Sequence, residues 1–266
     1  MATFDLLKQW CSRMDAAAEL RWHLTDRFLN AFHYPVARAT AHYYPNYEGE
    51  VIRFLHMIMR HCERHSVVLD AGCGRAGFPI PWRQFCRMLI GLDISSTLHQ
   101  NSWVGEKVGG NLYQLPLADS SVDVAILRYV LEHLERPAEA LREVARVLRP
   151  GGRLLLLTPN RRHYVCLLAS MTPHWFHRWF LARHGRFDED VSPTRYRANT
   201  PGRLRELASL SGFRVVELEL FEAAPGYLEW SWPAYLMGVA YERVVNRFEV
   251  LSGLRVSMLA TLEKLT

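Results

Sequence analysis

Residues Val67 to Gly77 read VVLDAGCGRAG, an apolar run that breaks into a turn with Gly72, Gly74 and Gly77 at the G-x-G-x-x-G spacing. Few chains can use that pattern in more than one way. A buried strand that ends in glycines lets the backbone turn tightly and approach a ligand with no Cβ in between. The helix that follows such a turn offers free N–H groups to an anion or a polar ligand. About 20 residues further on, a second apolar stretch, MLIGLDI, ends at Asp93, whose carboxylate suits the two hydroxyls of a ribose. NAD and S-adenosylmethionine share that ribose, so these residues predict a nucleoside cofactor without choosing between the two.

The rest of the chain extends the same α/β theme. SVVLDA, MLIGLDI, VDVAIL and GRLLLLTP read as strands, and PAEALREVARVLRP reads as a helix between the last two, with Pro137 at its start and Gly151-Gly152 after its end. Alternation of this kind calls for a largely parallel sheet. Thr200 and Pro201 then cap a helix over TPGRLRELASLSGF, RVVELELFE reads as the sixth strand, and RVSMLATLEKL as the last. An aromatic helix is expected at about 232–250.

Residues 1–65 read as a helical extension or lid, with FDLLKQWCSRMDAAAELRWHLTDRFLNAF closed by Pro35 and a second amphipathic helix over NYEGEVIRFLHMIMRHCERH. Residues 66–266 form the main domain. Residues 161–200 break the alternation and read as an inserted cap, in which residues 161–197 carry seven arginines against three acids and the aromatics Trp175, Phe176, Trp179 and Phe180. Pro79 and Pro81 do not fit a helix interior, so the helix after the glycine turn is expected to start near Pro81.

At 266 residues, with 49% hydrophobic and 22% charged content, the chain has the make-up of a folded domain rather than a disordered one. The formal charge of +5 mildly favours anionic partners. Five cysteines without a CxxC pair, and no secretory core, predict free thiols in a reducing, cytoplasmic compartment. No transmembrane segment is expected, and no metal: His61, Cys62 and His65 read as a solvated helix end.

In order and spacing, LDAGCG, GLDIS, LPLADSSVDVAILRYVLEHL and VLRPGGRLLLLTPN resemble the successive motifs of class I S-adenosylmethionine-dependent methyltransferases, in the broad group that acts on small molecules, lipids and sugars. The resemblance covers residues 66–160 and, more loosely, YRANTPGRLRELASLSGFRVVELE. It implies a doubly wound, Rossmann-like, mostly parallel seven-stranded sheet, and S-adenosyl-L-methionine as the cofactor. Residue by residue it implies Asp70 near the methionine end and backbone contacts at Gly72 and Gly74. It further implies ribose binding by Asp93, an apolar face for adenine from Ile94, and a backbone N–H to adenine from Leu112. Arg128 is placed towards the methionine moiety. Asn111 stands where the family usually has Asp, and its amide oxygen can still accept from the adenine amino group.

The implied reaction is in-line transfer of a methyl group, to oxygen in the first instance, on a small-molecule, saccharide or lipid-linked acceptor. His133, His163 and Tyr164 are the candidates for direct chemistry. Alternatives are a C- or N-methyltransferase of a natural product or isoprenoid, a non-catalytic cofactor-binding partner protein, and an NAD(P)-dependent oxidoreductase. Nucleic acid is disfavoured as an acceptor because neither a D/N-P-P-Y motif nor a Pro-Cys pair occurs, while peripheral membrane contact through the cap fits the arginines and aromatics.

Overall fold

The computed structural model describes residues 42–44, 49–75, 82, 85–171, 193–228 and 231–265. The predicted helix over 4–32, its closure at Pro35, the helix start at Pro81, the aromatic cluster at 175–180 and Cys11 lie outside these residues.

Seven strands form one sheet: β1 (Val67–Ala71), β2 (Met88–Asp93), β3 (Glu106–Gly109), β4 (Val122–Arg128), β5 (Leu148–Pro159), β6 (Phe213–Phe221) and β7 (Ser257–Lys264). Their order is β3-β2-β1-β4-β5-β7-β6. Pairings among β1 to β5 are parallel, and β7 inserts antiparallel between β5 and β6. The sheet is doubly wound, with the order reversing between β1 and β4, and ligands bind outside the carboxyl ends of strands at such a switch.

Burial follows sheet position. All five residues of β1 are buried, as a parallel strand covered on both faces requires. Leu154 to Leu157 of β5 are fully buried. The edge strand β3, EKVG, has no buried residue, and its lack of an apolar run is why the sequence gives no strand signal there. β5 also starts earlier than its apolar run suggests, because Leu148 pairs with Val122 ahead of a register shift.

Among the described residues the α-helices are α1 (Glu50–His61), α2 (Pro137–Val147), α3 (Tyr164–Met171), α4 (Pro201–Leu210) and α5 (Trp232–Arg247). In α2, Pro137 occupies the first turn, and Ala140, Leu141, Val144, Ala145 and Val147 turn one face into the core. Thr200 caps α4 by accepting from Arg203 N at 3.4 Å.

By compactness the chain divides into two units, one of Met1–Arg53 with Ala223–Val244 and one of Phe54–Glu222 with Val245–Thr266. In this division residues 54–65 group with the sheet. Phe54, Leu55, Met57 and Ile58 are buried, and the end of α1 is tied to the sheet by Arg60 to Glu217 at 3.4 Å. In the smaller unit, Tyr44 donates to Glu242 at 3.1 Å and Arg243 donates to the Tyr43 carbonyl at 2.7 Å. The four described cysteines are free thiols.

Candidate cofactor and acceptor site

The glycine turn is built by two different glycines. Gly72, at φ +79°, donates to the Leu92 carbonyl at 2.7 Å, which locks the end of β1 to the end of β2. A Cβ here would stand 2.4 Å from Val130 Cγ2, so Gly72 is required by packing as well as by conformation. Gly74, at φ +57°, is the opposite case, because a Cβ on it would meet nothing within 4 Å. It faces open space, as a ligand cradle does.

Asp93 closes the turn from β2. Its Oδ2 accepts from Gly74 N at 2.7 Å and its Oδ1 accepts from Ser95 N at 2.8 Å. Each carboxylate oxygen keeps a second lone-pair direction for a hydroxyl. The next residue, Ile94, is 80% exposed, an apolar side chain held out beside a polar turn. Gly110 donates to the Asp93 carbonyl at 3.1 Å, which brings Asn111 and Leu112 alongside. Asn111 is exposed and accepts from Tyr113 N at 3.0 Å, while Leu112 packs on the core.

Asp70, on β1 just before the turn, is 2% exposed, and its Oδ2 has no hydrogen-bond partner among the described residues. Burial pushes its carboxyl up to about 6, against the pull of the Arg128 guanidinium. Arg128, at the end of β4, is itself held below its ordinary value by burial. The next residue, Tyr129, adopts φ +55°, a conformation that a bulky side chain rarely takes and that is found at functional sites. The eight residues expected at the cofactor thus lie at the carboxyl ends of the adjacent strands β1, β2, β3 and β4.

The three candidates for direct chemistry are placed separately. His133, in a 3₁₀ turn after β4, is partly exposed, with Nδ1 3.3 Å from the Pro193 carbonyl. His163 follows β5 and is 1% exposed. Its Nε2 lies 3.1 Å from Glu222 Oε1, and its Nδ1 accepts from Val165 N at 3.3 Å. Tyr164 is partly exposed and tilted against the His163 ring at 4.2 Å between centroids.

Other site residues carry no local signal in the sequence. Asn101 is fully buried and donates to the Gly74 carbonyl at 2.9 Å, fixing the turn from below. Glu132 is 4% exposed, accepts from the Thr158 hydroxyl at 3.0 Å, and is raised by burial to about 7. Asn199 donates to the same hydroxyl at 2.6 Å. The Glu132 carbonyl accepts from Arg195 N and Tyr196 N, so it also anchors the chain that returns from residue 193.

This fold and site define an α/β domain made for a nucleoside cofactor. Residues 69–156 match the family model described as "Methyltransferase domain", and the chain carries a domain of the class I S-adenosylmethionine-dependent methyltransferases. A probable S-adenosylmethionine-dependent methyltransferase of Mycolicibacterium smegmatis is 35% identical over 162 residues, 59% of this chain and 56% of that protein. A malonyl-[acyl-carrier protein] O-methyltransferase of Dechloromonas aromatica is 34% identical over 161 residues, 57% of this chain and 53% of that protein. The chain thus spans about half the length of the curated relatives it matches. Among solved structures, an S-adenosylmethionine-dependent methyltransferase from Mesorhizobium loti has a TM-score of 0.55 at 17% identity, covering 80% of this chain and 97% of that one. The [4+2]-cyclase SpnF has a TM-score of 0.51 at 18% identity, covering 80% and 81%, so the fold alone does not fix the reaction.

The residues present fit S-adenosylmethionine. Gly74 leaves open space where a side chain would intrude, Ile94 offers an apolar face, and Asp70 holds an unpartnered carboxylate oxygen suited to a cationic end.

Proposed function

We propose that the protein transfers a methyl group from S-adenosylmethionine to an oxygen of a small-molecule, saccharide or lipid-linked acceptor. The observation that carries this is the buried Asp70, with an unpartnered Oδ2, beside a glycine turn with an open Gly74. A dinucleotide fold has no evident need for a buried acid at that point, whereas an amino-acid cofactor brings an ammonium group. When bound, S-adenosylmethionine supplies an activated methyl group on a sulfonium, and the protein has only to align the acceptor and exclude water.

In this scheme Gly72 and Gly74 carry the cofactor's backbone contacts. Asp93 accepts from the ribose, Ile94, Asn111 and Leu112 surround the adenine, and Asp70 with Arg128 orients the amino-acid end. His133, partly exposed after β4, is the first choice for taking a proton from the acceptor. His163, buried against Glu222, is better suited to holding the end of β5 in place, with Tyr164 beside it. Transfer to oxygen is supported by the O-methyltransferase relative, and malonyl thioesters are the first acceptors to assay.

The test is calorimetric titration with S-adenosylmethionine, S-adenosylhomocysteine, NAD and NADP, on the protein and its Asp93→Ala variant. Micromolar binding of the two sulfur compounds alone, lost in the variant, is expected. Binding of NAD or NADP instead would overturn the assignment. With a methyl-labelled cofactor, label released as methanol by mild alkali identifies a carboxyl oxygen as the acceptor atom, and alkali-stable label excludes it.

A further inference from the structure

The 3₁₀ turn Glu249–Leu254, between α5 and β7, contains no buried residue. It and the residue before it present Phe248 at 55%, Val250 at 90% and Leu254 at 39% exposure. Scattered apolar residues on a surface are ordinary, but three within seven positions, on a rigid mount, form a directed tip. The mount is well defined. Asn160 Nδ2 donates to the carbonyls of Gly253 and Arg255 at 2.8 Å each, and Arg255 in turn donates to the Val245 and Leu220 carbonyls at 3.1 Å.

The charged residues of the turn and its flanks are mostly basic. Glu249 is taken up by Arg255 at 2.8 Å. Exposed Arg161, Arg162 and Arg247 have no carboxylate partner among the described residues. Arg162 belongs to the same patch, since a Cβ on Gly253 would lie 3.9 Å from its Nη1. Helix α3, which starts two residues beyond Arg162, has no charged residue and exposes Leu167 and Leu168. This face lies at the carboxyl end of β5, which runs parallel to β4 and β1, so it shares its end of the sheet with the glycine turn.

We propose that this face docks the protein on a membrane surface that carries anionic lipid. Phe248 and Val250 enter the headgroup boundary, while the arginines reach the phosphates with their stems along the apolar layer. Exposed apolar side chains on one short turn suit a lipid surface, whereas a stable protein interface needs roughly 800 Å² per partner. Such docking would bring a lipid-borne acceptor to the cofactor end of the sheet, and in that respect the inference rests on the acceptor class proposed above.

The test is vesicle sedimentation of the full chain with phosphatidylcholine alone and with roughly 30 mol % phosphatidylglycerol added. Val250→Asp/Phe248→Ser and Arg161→Gln/Arg162→Gln variants are compared, each checked for an unchanged S-adenosylhomocysteine affinity. Binding only in the presence of phosphatidylglycerol, reduced at least 10-fold by either pair, is expected. No binding to either vesicle, or binding indifferent to the substitutions, overturns the inference and leaves the methyl-transfer assignment intact. Self-association in sedimentation velocity that the apolar pair abolishes would overturn it in favour of a second copy as the occupant.

Discussion

Gly72 and Gly74 stand two residues apart in one motif, yet they should fail in different ways when given a methyl group. At Gly72 the added Cβ falls 2.4 Å from Val130 Cγ2, with φ at +79°. A left-handed conformation costs an L-residue about 1–2 kcal/mol and overpacking about 1–3 kcal/mol more, so Gly72→Ala should lose about 2–5 kcal/mol of stability. For a chain of this size that lowers the melting temperature by roughly 5–15 °C. At Gly74 only the conformational cost applies, about 1–2 kcal/mol, because nothing lies within 4 Å. The methyl would instead occupy the cradle and weaken S-adenosylhomocysteine binding by about 10-fold or more, roughly 1.4 kcal/mol. Urea unfolding and calorimetric titration on both variants separate the two effects. Removing the obstructing methyl in Gly72→Ala/Val130→Ala should recover at least about 1 kcal/mol relative to the sum of the single substitutions. Equal destabilisation by the two alanines, or strictly additive behaviour of the double variant, would refute the division of labour.

Three further outcomes follow from charged side chains. The Glu132 carboxyl rises from 4.5 to about 7 on folding, so the folded state holds the proton more tightly and stability falls as pH rises from about 4.5 through 7, by about 3 kcal/mol. Glu132→Gln should flatten that part of the curve, read by unfolding at pH 5 and pH 8, and an unchanged slope would refute the burial account. Asp70→Asn should stabilise the ligand-free protein at pH 7 by up to about 3 kcal/mol, since its carboxyl rises from 3.8 to about 6, while lowering cofactor affinity in the same titration. Arg146 donates to the Leu115 and Leu117 carbonyls and to Glu143 and Asp119, holding the turn that follows Leu112. Arg146→Lys lacks the fork for all four and should lose about 2 kcal/mol. The hydrogen bond from Arg146 holds the Glu143 carboxyl below its ordinary value, so the acid-side loss of stability below about pH 4.5 should also become shallower in this variant.

Sequence carried the sheet, β6 and β7 included, except for its edge strand β3. β1, β2, β4 and β5 could be read because a parallel strand buried on both faces must be an apolar run. α2 and α4 could be read from a proline and a threonine at their starts. β3 could not, since EKVG is an exposed edge held by backbone pairing alone. The turn glycines and Asp93 announce themselves by spacing. Asn101 does not, because a lone asparagine in a loop gains meaning only when its amide meets the Gly74 carbonyl 27 positions away. Glu132, Thr158 and Asn199 form one hydrogen-bonded chain from three distant segments, which the β4–β5 crossover and the chain returning ahead of α4 bring together.

Two acids, Asp70 and Glu132, are buried near the carboxyl ends of the neighbouring strands β1 and β4, both raised by burial and neither offset by a close, hydrogen-bonded cation. Between them in the fold, Tyr129 holds a left-handed backbone and Val130 closes over Gly72. Packing alone would favour apolar residues at both positions and a glycine at 129. Several local rules are broken at this end of the sheet, and they are kept in α2, in α4 and through the core of β5. Concentrated violations of this kind are what a ligand site imposes on a fold. The two acids nevertheless answer different demands. Asp70 has an unpartnered oxygen and is positioned to meet a ligand, whereas Glu132 spends its carboxylate on Thr158 and its carbonyl on residues 195 and 196. Asp70 is therefore the acid we propose for cofactor binding, whereas Glu132 anchors the chain that returns at residues 195 and 196.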